Sequence, residues 1–486
     1  MRANSIAIIG AGFSGTLLSL HLLRRCPTDT QIYLLERSQQ FGRGQAYSTG
    51  NPNHLLNVPA ARMSAFHDHP RDFIDWLHRQ PPHVLAGCVP TDNRFVPRRL
   101  FGKYLRHLLN EELKRPGDRY ELVRGDVVEI ERAGERLNLR LRRGRTVTVD
   151  LAVLAIGNFP PEPPPVSDPS FYDGPLYRPD PWAPNAVTDL DPDASVLLIG
   201  TGLTMIDTVI SLLDRHHRGP IHALSRHGLL PHRHAAATAT PPSSHFDSYP
   251  ASLAALARYL HRETARAVTA GADWRPVIDA LRPFTCDVWQ TMSAEDRARF
   301  IRHLRPWWEI HRHRVASVIA DRINAARDEG QLRVSVGRIE RFEPIGQAVD
   351  VVYRKRSSND RATIRAMRVI NCSGPCCDYA RIPHPLVRNL LARGFVRPDP
   401  LRLGLDVSGT CALIDGNGAV SRRLFAVGPV TKGAFWEMTA VPDIRRQCEF
   451  LAAHLAAHVK PVPAAARLTV ALQGQRATER PTGDNT

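Results

Sequence analysis

The 486 residues are 43% hydrophobic and 23% charged, which allows large buried cores, and the length predicts two or three domains. Lys and Arg total 64 against 48 Asp and Glu, yet the basic residues are scattered and accompany no nucleic-acid module; an anionic small substrate fits this balance better than nucleic acid. No apolar run reaches the roughly 18 residues of a membrane span, and eight thinly spread cysteines without a CxxC pair predict reduced thiols in a cytoplasmic protein.

Met1-Arg2 and the apolar run after them resemble a signal peptide, but Gly10, Gly12 and Gly15 interrupt the run and a cofactor motif explains it better. Ser5 to Ile9 read as a buried strand, Gly10 to Gly15 as a turn, Thr16 to Arg25 as a helix, and Gln31 to Leu35 as a second strand ending at Glu36: one βαβ unit. The turn fits GxGxxG. Gly10 permits the sharp bend, Gly12 the approach of a pyrophosphate to the backbone, and Gly15 close packing of helix on strand; the helix N-terminus turns its partial positive charge to the phosphates, with Ser14 of the turn a further cofactor-binding candidate. Glu36, about 20 residues past Gly15 and followed by Arg37, can accept hydrogen bonds from a ribose diol. An acid there disfavours a 2′-phosphate, so FAD or NAD belongs in this corner.

Glu121 to Val149 alternate apolar and charged residues, as in a small antiparallel meander, and Leu151 to Ile156 form a buried strand that stops at Gly157. The Pro-rich stretch Phe159 to Pro192 reads as a hinge or linker. A second βαβ unit follows: strand Val196 to Ile199, turn Gly200-Thr201-Gly202-Leu203-Thr204-Met205, a helix from about Thr204 to Leu213, and strand Ile221 to Leu224. Met205 replaces the third glycine. The second strand ends in Ser225-Arg226-His227 with no acid; Arg226 is either a partner for a 2′-phosphate, favouring NADPH over NADH, or a solvated loop cation.

Residues 251 to about 329 are mostly helical, with Ser293 and Asp296 marking one helix start. Strand-like segments return at Leu332 to Val336, Ala348 to Tyr353, Met367 to Asn371 and Leu424 to Val427; the last meets Gly428-Pro429, toward which a helix from about Pro442 points its N-terminus. The polar, Ala/Pro-rich tail is expected to be disordered.

This pattern resembles flavoproteins that bind two dinucleotides, over about residues 5 to 455. Phe171, Gly174, Arg178, Trp182 and Ala183 resemble, with departures, the F-x-G-x-x-x-H-x-x-x-W-P fingerprint of class B flavin monooxygenases. One residue is added between Phe171 and Gly174, Arg178 replaces the His and Ala183 the Pro. Closer is the resemblance to a bacterial family of FAD/NAD(P)-binding proteins, carried by His54-Leu55-Leu56-Asn57-Val58-Pro59, Pro97-Arg98, Phe101-Gly102-Lys103-Tyr104-Leu105, His311-Arg312-His313-Arg314 and Thr439-Ala440-Val441-Pro442-Asp443-Ile444-Arg445. That family includes an FAD-dependent urate hydroxylase and an aspartate N-monooxygenase.

The resemblance implies an α/β fold with two Rossmann-like domains plus a helical insertion: an FAD domain at 1–165 and 366–460, an inserted NAD(P)H domain at 190–365 whose helices span about 250–330, and a tail at 461–486. It implies an NAD(P)H-using monooxygenase that hydroxylates a small anionic substrate with O2 through a flavin C4a-hydroperoxide. Urate to 5-hydroxyisourate is the first reading, an aspartate-type N-monooxygenase the alternative, and a non-catalytic redox sensor the alternative of another class. His313, Arg314 or Arg312, and Lys432 are the candidate substrate or proton-transfer groups. His232-Arg233-His234 lacks the further ligands a metal needs. A disulfide reductase would need a cysteine pair soon after the first βαβ unit, and none lies between Cys26 and Cys88.

Overall fold

Strand β1 (Ser5–Ile9) is buried at every position and leads through Gly10–Gly12 into the helix Phe13–Arg25 and back to β2 (Gln31–Glu36), which runs parallel to it. In this computed structural model, which describes residues 4–85, 87–115, 117–235 and 252–459, β3 (Tyr120–Arg124), β4 (Val127–Ala133), β5 (Arg136–Leu141), β6 (Thr146–Val149) and β7 (Leu151–Leu154) follow. The expected tail at 461–486 lies outside the described residues.

The meander is shorter than the alternation of residues 121–149 suggests. Only β4, β5 and β6 form the antiparallel three-stranded sheet, while β3 pairs in parallel with β2 at the edge of the main sheet. An edge strand has one partner and a half-exposed face, so it shows the same alternation as a meander strand.

The Pro-rich stretch is not a free hinge. It contributes β8 (Tyr177–Arg178) to the second sheet, and Phe171 stacks on Phe342 at 4.5 Å within one of that sheet's buried clusters. Strands β9 (Val196–Ile199), β10 (Ile221–Ser225), β11 (Leu332–Ile345), β12 (Ala348–Lys355), β13 (Arg361–Ala366) and β14 (Arg368–Asn371) complete this sheet in the order β13-β12-β11-β10-β9-β14-β8. The expected return to the first domain at residue 366 therefore falls inside the second sheet, where β14 pairs with β9; the chain leaves only after Asn371. It then supplies β15 (Ala412–Ile414) and β16 (Val420–Ala426) to the first sheet, ordered β15-β16-β7-β1-β2-β3, and closes with the helix Val441–His458.

Eight helical segments from Leu253 to Asp328 form the insertion, and Ser293 caps one of them by accepting a hydrogen bond from the Asp296 amide at 3.1 Å. The insertion is fastened to the first domain's C-terminal segment. Trp289 stacks on Trp436 at 4.8 Å and donates its indole N–H to the Gly433 carbonyl at 2.7 Å. A second seam joins the two sheets: Arg98 donates to Asp207 at 2.7 Å, Asn51 donates to Asp214 at 2.8 Å, and His54 Nε2 lies 2.9 Å from Ser211 Oγ. The residues of the His54-to-Pro59 and Pro97-Arg98 motifs thus serve, in part, to hold the helix Leu203–Leu213 against the first domain.

Candidate functional site

The two glycine corners are built alike. Gly10 has φ +106°, and a Cβ there would lie 2.3 Å from the Ala155 carbonyl oxygen just past β7; Gly200 has φ +107°, and its Cβ would lie 2.6 Å from the Cys372 carbonyl oxygen just past β14. Each bend is therefore open only to glycine, because positive φ and a neighbouring strand end act together. A Cβ on Gly15 would come within 1.9 Å of the Gly10 carbonyl oxygen, so the third glycine serves helix packing, as expected. In the second corner Met205 takes that place and is fully buried in the core.

Gly12 and Gly202 behave differently. A Cβ on Gly12 would make only an ordinary 3.5 Å contact with Gly44 Cα, and one on Gly202 would meet nothing within 4 Å. Both are N-caps of their helices with no side-chain cap. Space above the glycine and uncapped first-turn N–H groups are what a dinucleotide's diphosphate requires, so both corners fit such a group.

Around the first corner, Glu36 accepts the Ala11 amide at 2.9 Å and the Ser38 amide at 2.8 Å, which orients its carboxylate toward the turn; Arg37 beside it is exposed. Gly428, two residues past β16, lies over the helix start, where its Cβ would press on Ser14 Oγ at 2.4 Å, and its amide donates to Gln447 on the last helix. Pro429 opens the short helix Gly428–Thr431, and Gly157, with φ +69°, has open space beside it. Sequence reasoning passed over Gly42 and Gly44. The Gly42 amide donates to the Ala11 carbonyl at 2.9 Å and Gly44 packs on Gly12, so this loop forms one wall of the corner. The signal was a Gly-Arg-Gly run soon after an acid-ended strand.

A cavity of about 1790 Å³ runs from the second corner to the insertion. Gly200 to Thr204 line one end, together with Arg226, His227 and Arg338. Ser225 hydrogen-bonds Thr201 and the Gly228 amide at 2.9 Å each, while Arg356 donates to the Arg226 carbonyl at 3.2 Å. Cations rather than an acid thus surround the end of β10. Burial, then Arg356 and Arg226, hold His227 below the usual histidine range.

Arg312, His313, Arg314 and Lys432 line the other end, with Arg305 and Glu309. Four consecutive helical residues would point in four directions, leaving two at most for one pocket. Here the helix Arg305–Arg312 ends and His313 is its C-cap at φ −100° and ψ 76°, so three of the four face the same space. Arg314 is nonetheless committed: it is buried, paired with Asp279, and stacked over Trp274. His313 and Lys432 are less encumbered. Burial, Arg312 and Lys432 outweigh Glu437 and Glu309 and hold the His313 imidazole below its usual range. Burial and Arg305 likewise lower the Lys432 ammonium against three opposing neighbours, and its Nζ sits 4.9 Å over the Trp436 ring.

Glu309 and Glu437 were missed. Burial works to raise both carboxyls, but Arg305, Lys432 and His313 around Glu309, and His313, Arg312 and Trp308 around Glu437, hold them below the usual carboxylate range. Glu309 accepts from Arg305 Nε at 2.7 Å and Glu437 accepts from the Trp308 indole at 3.0 Å. The chamber therefore presents fixed charges of both signs. Thr439, Ala440 and Val441 at the start of the last helix reach the same space. His232 packs on Trp274 and His311, whereas His234 packs on Phe95; among the described residues no group of three ligating side chains forms a metal site.

Residues 7–159 match the FAD-NAD(P)-binding family model. This FAD-NAD(P)-binding segment holds the first corner, and the chain carries a dinucleotide-binding fold well beyond it. The ornithine hydroxylase of Pseudomonas aeruginosa superimposes with a TM-score of 0.62 at 16% identity, covering 95% of this chain and 100% of that one. An ornithine N-hydroxylase of Kutzneria sp. 744 gives 0.63 at 14% identity over 95% and 100%. An L-lysine 6-monooxygenase of Pseudomonas syringae gives 0.62 at 16% over 94% and 100%. At such identities the likeness is one of fold. No curated protein matches the chain. No helix among the described residues is long and apolar enough to cross a membrane.

Proposed function

We propose that the protein is an FAD- and NADPH-dependent monooxygenase that hydroxylates the nitrogen of a small amino acid or related amine. FAD is assigned to the Gly10–Gly15 corner with Glu36 on its ribose, and NADPH to the Gly200–Thr204 corner with Arg226 and Arg338 on the 2′-phosphate. The observation that carries this reading is the single cavity joining the second corner to the two-signed chamber at His313, Lys432 and Glu309. The fold shared at full length with ornithine and lysine hydroxylases supports it further.

When bound, the cofactors supply a hydride and activated oxygen, one atom going to the substrate and the other to water. The chain's own residues bind and orient. Lys432 receives the substrate carboxylate and Glu309 its ammonium. His313, neutral near pH 7, accepts the proton that the amine sheds before oxygenation. A purine anion such as urate offers no ammonium to Glu309, so the urate reading falls behind the amino-acid one.

The test is NADPH and O2 consumption by the flavin-loaded protein with L-aspartate, L-ornithine, L-lysine, cadaverine and urate, with hydroxylamine products identified by mass. Stimulation by an amine substrate with an N-hydroxylated product is expected. Coupled oxidation of urate with no response to amines would overturn the proposal.

A further inference from the structure

Four cations gather against the first corner with no carboxylate among them. Arg99, Lys103 and Arg106 follow one another at i, i+4 and i+7 along the helix Arg98–Leu113 and so share a face, and Gly102 on that face abuts the loop that carries Arg43. A Cβ on Gly102 would meet the Tyr47 carbonyl oxygen at 2.4 Å and Arg43 Cγ at 3.4 Å, and one on Gly42 would meet Arg106 Cγ at 3.2 Å. The loop is thus clamped between this helix and Gly12, on which Gly44 packs.

No side chain of the four forms an ion pair or hydrogen bond with another described residue. The Nε atoms of Arg43 and Arg99 are buried and have no partner. Every charged group that bears on Arg43 or Lys103 is another cation. Elsewhere the molecule pairs its arginines freely: Arg393 reaches Glu129 and Glu131, and Arg218 reaches Asp193. Arg43, Arg99 and Lys103 are half-buried and Arg106 is exposed; like charges held together in this way oppose folding, and orphaned guanidinium N–H groups add a desolvation cost. Both costs vanish when an anion with several acceptor oxygens enters the cluster.

We infer that Arg43, Arg99, Lys103 and Arg106 form a diphosphate-binding site, and that it receives the diphosphate of the flavin dinucleotide held at Gly12. This rests on assigning FAD to the first corner. Glycine contacts and a helix N-terminus alone accept a diphosphate through neutral N–H groups; the cluster adds formal positive charge, and makes retention of the cofactor depend on salt.

The experiment uses flavin-stripped full-length protein and the variants Lys103→Met, Arg43→Met and their combination. Two readouts move in opposite directions. Removing one cation relieves repulsion, so the flavin-free melting temperature holds or rises, while the dissociation constant for FAD rises about tenfold per cation and its salt dependence flattens. Inorganic pyrophosphate raises the melting temperature of the stripped wild type and leaves that of the double variant unchanged. Variants that bind FAD and pyrophosphate as tightly as wild type, at any salt concentration, overturn the inference. So does a lowered melting temperature with unaltered affinity, which would make the cations structural. The pyrophosphate arm is read without flavin, so a wild type that takes up no FAD counts against the cofactor assignment, separately from the cluster.

Discussion

Single residues in the two corners separate into those the fold needs and those a ligand needs. A Cβ on Gly10 or Gly15 collides with backbone oxygen, at 2.3 and 1.9 Å, so Gly10→Ala and Gly15→Ala are expected to cost several kcal/mol, seen as a fall in the urea midpoint. Gly12→Ala and Gly202→Ala meet nothing closer than 3.5 Å and should keep that midpoint while losing FAD and NADPH binding respectively, read by flavin fluorescence and by nucleotide titration. At the second corner, Arg226→Ala should raise the KM for NADPH more than that for NADH; equal changes in steady-state kinetics would remove the 2′-phosphate contact from the proposal. His21 offers a pH signal. It is 3% exposed, neither ring nitrogen has a partner, and burial, then Arg25, lowers it from 6.5 to about 4. A depressed pKa in the folded state gives stability that is present above 6.5 and lost as pH falls toward 4, on the order of 3 kcal/mol in all. Denaturant melts of wild type and His21→Leu between pH 7 and 4 should show that part of the slope disappearing in the variant.

At the scale of elements, the helix Leu203–Leu213 does two jobs. Its N-terminus opens the second corner, and its outer face carries Asp207, Ser211 and Asp214 into the seam with Arg98, His54 and Asn51. Arg98 and Asp207 are mostly buried, at 15% and 12% side-chain exposure, so deleting one partner leaves an uncompensated charge. Asp207→Ala is expected to destabilise by about 3 kcal/mol, while the double exchange Arg98→Met with Asp207→Leu costs markedly less; a thermodynamic cycle from chemical denaturation measures the difference. The seam residues stood in the sequence as parts of motifs, but their partners lie more than a hundred positions away, and periodicity within one element carries no information about such pairings. The same holds for β3 and β8. Their own side-chain patterns suit an edge strand, a meander or a linker equally well, and only their neighbours in the sheets decide among these.

In the whole molecule, two mixed sheets, each built on parallel strands with an antiparallel edge, are joined by one seam and by an insertion anchored through Trp289 to Trp436 and Gly433. Ligands that bind only this folded arrangement stabilise it by mass action: free FAD a hundredfold above its dissociation constant should add about 2.7 kcal/mol, seen as a higher melting temperature, and NADPH should add a further rise.

Both glycine corners, the acid at Glu36 and the cations at Arg226 were legible along the chain, because a βαβ turn is local and its spacing is set by the bond geometry of a few residues. The chamber was not. Glu309 and Lys432 are more than a hundred residues apart, and His313 faces the cavity because its helix ends one residue earlier. Local chain geometry therefore determined the two glycine corners, whereas the charges of the proposed substrate chamber were placed by packing between distant segments, which tertiary structure alone decides.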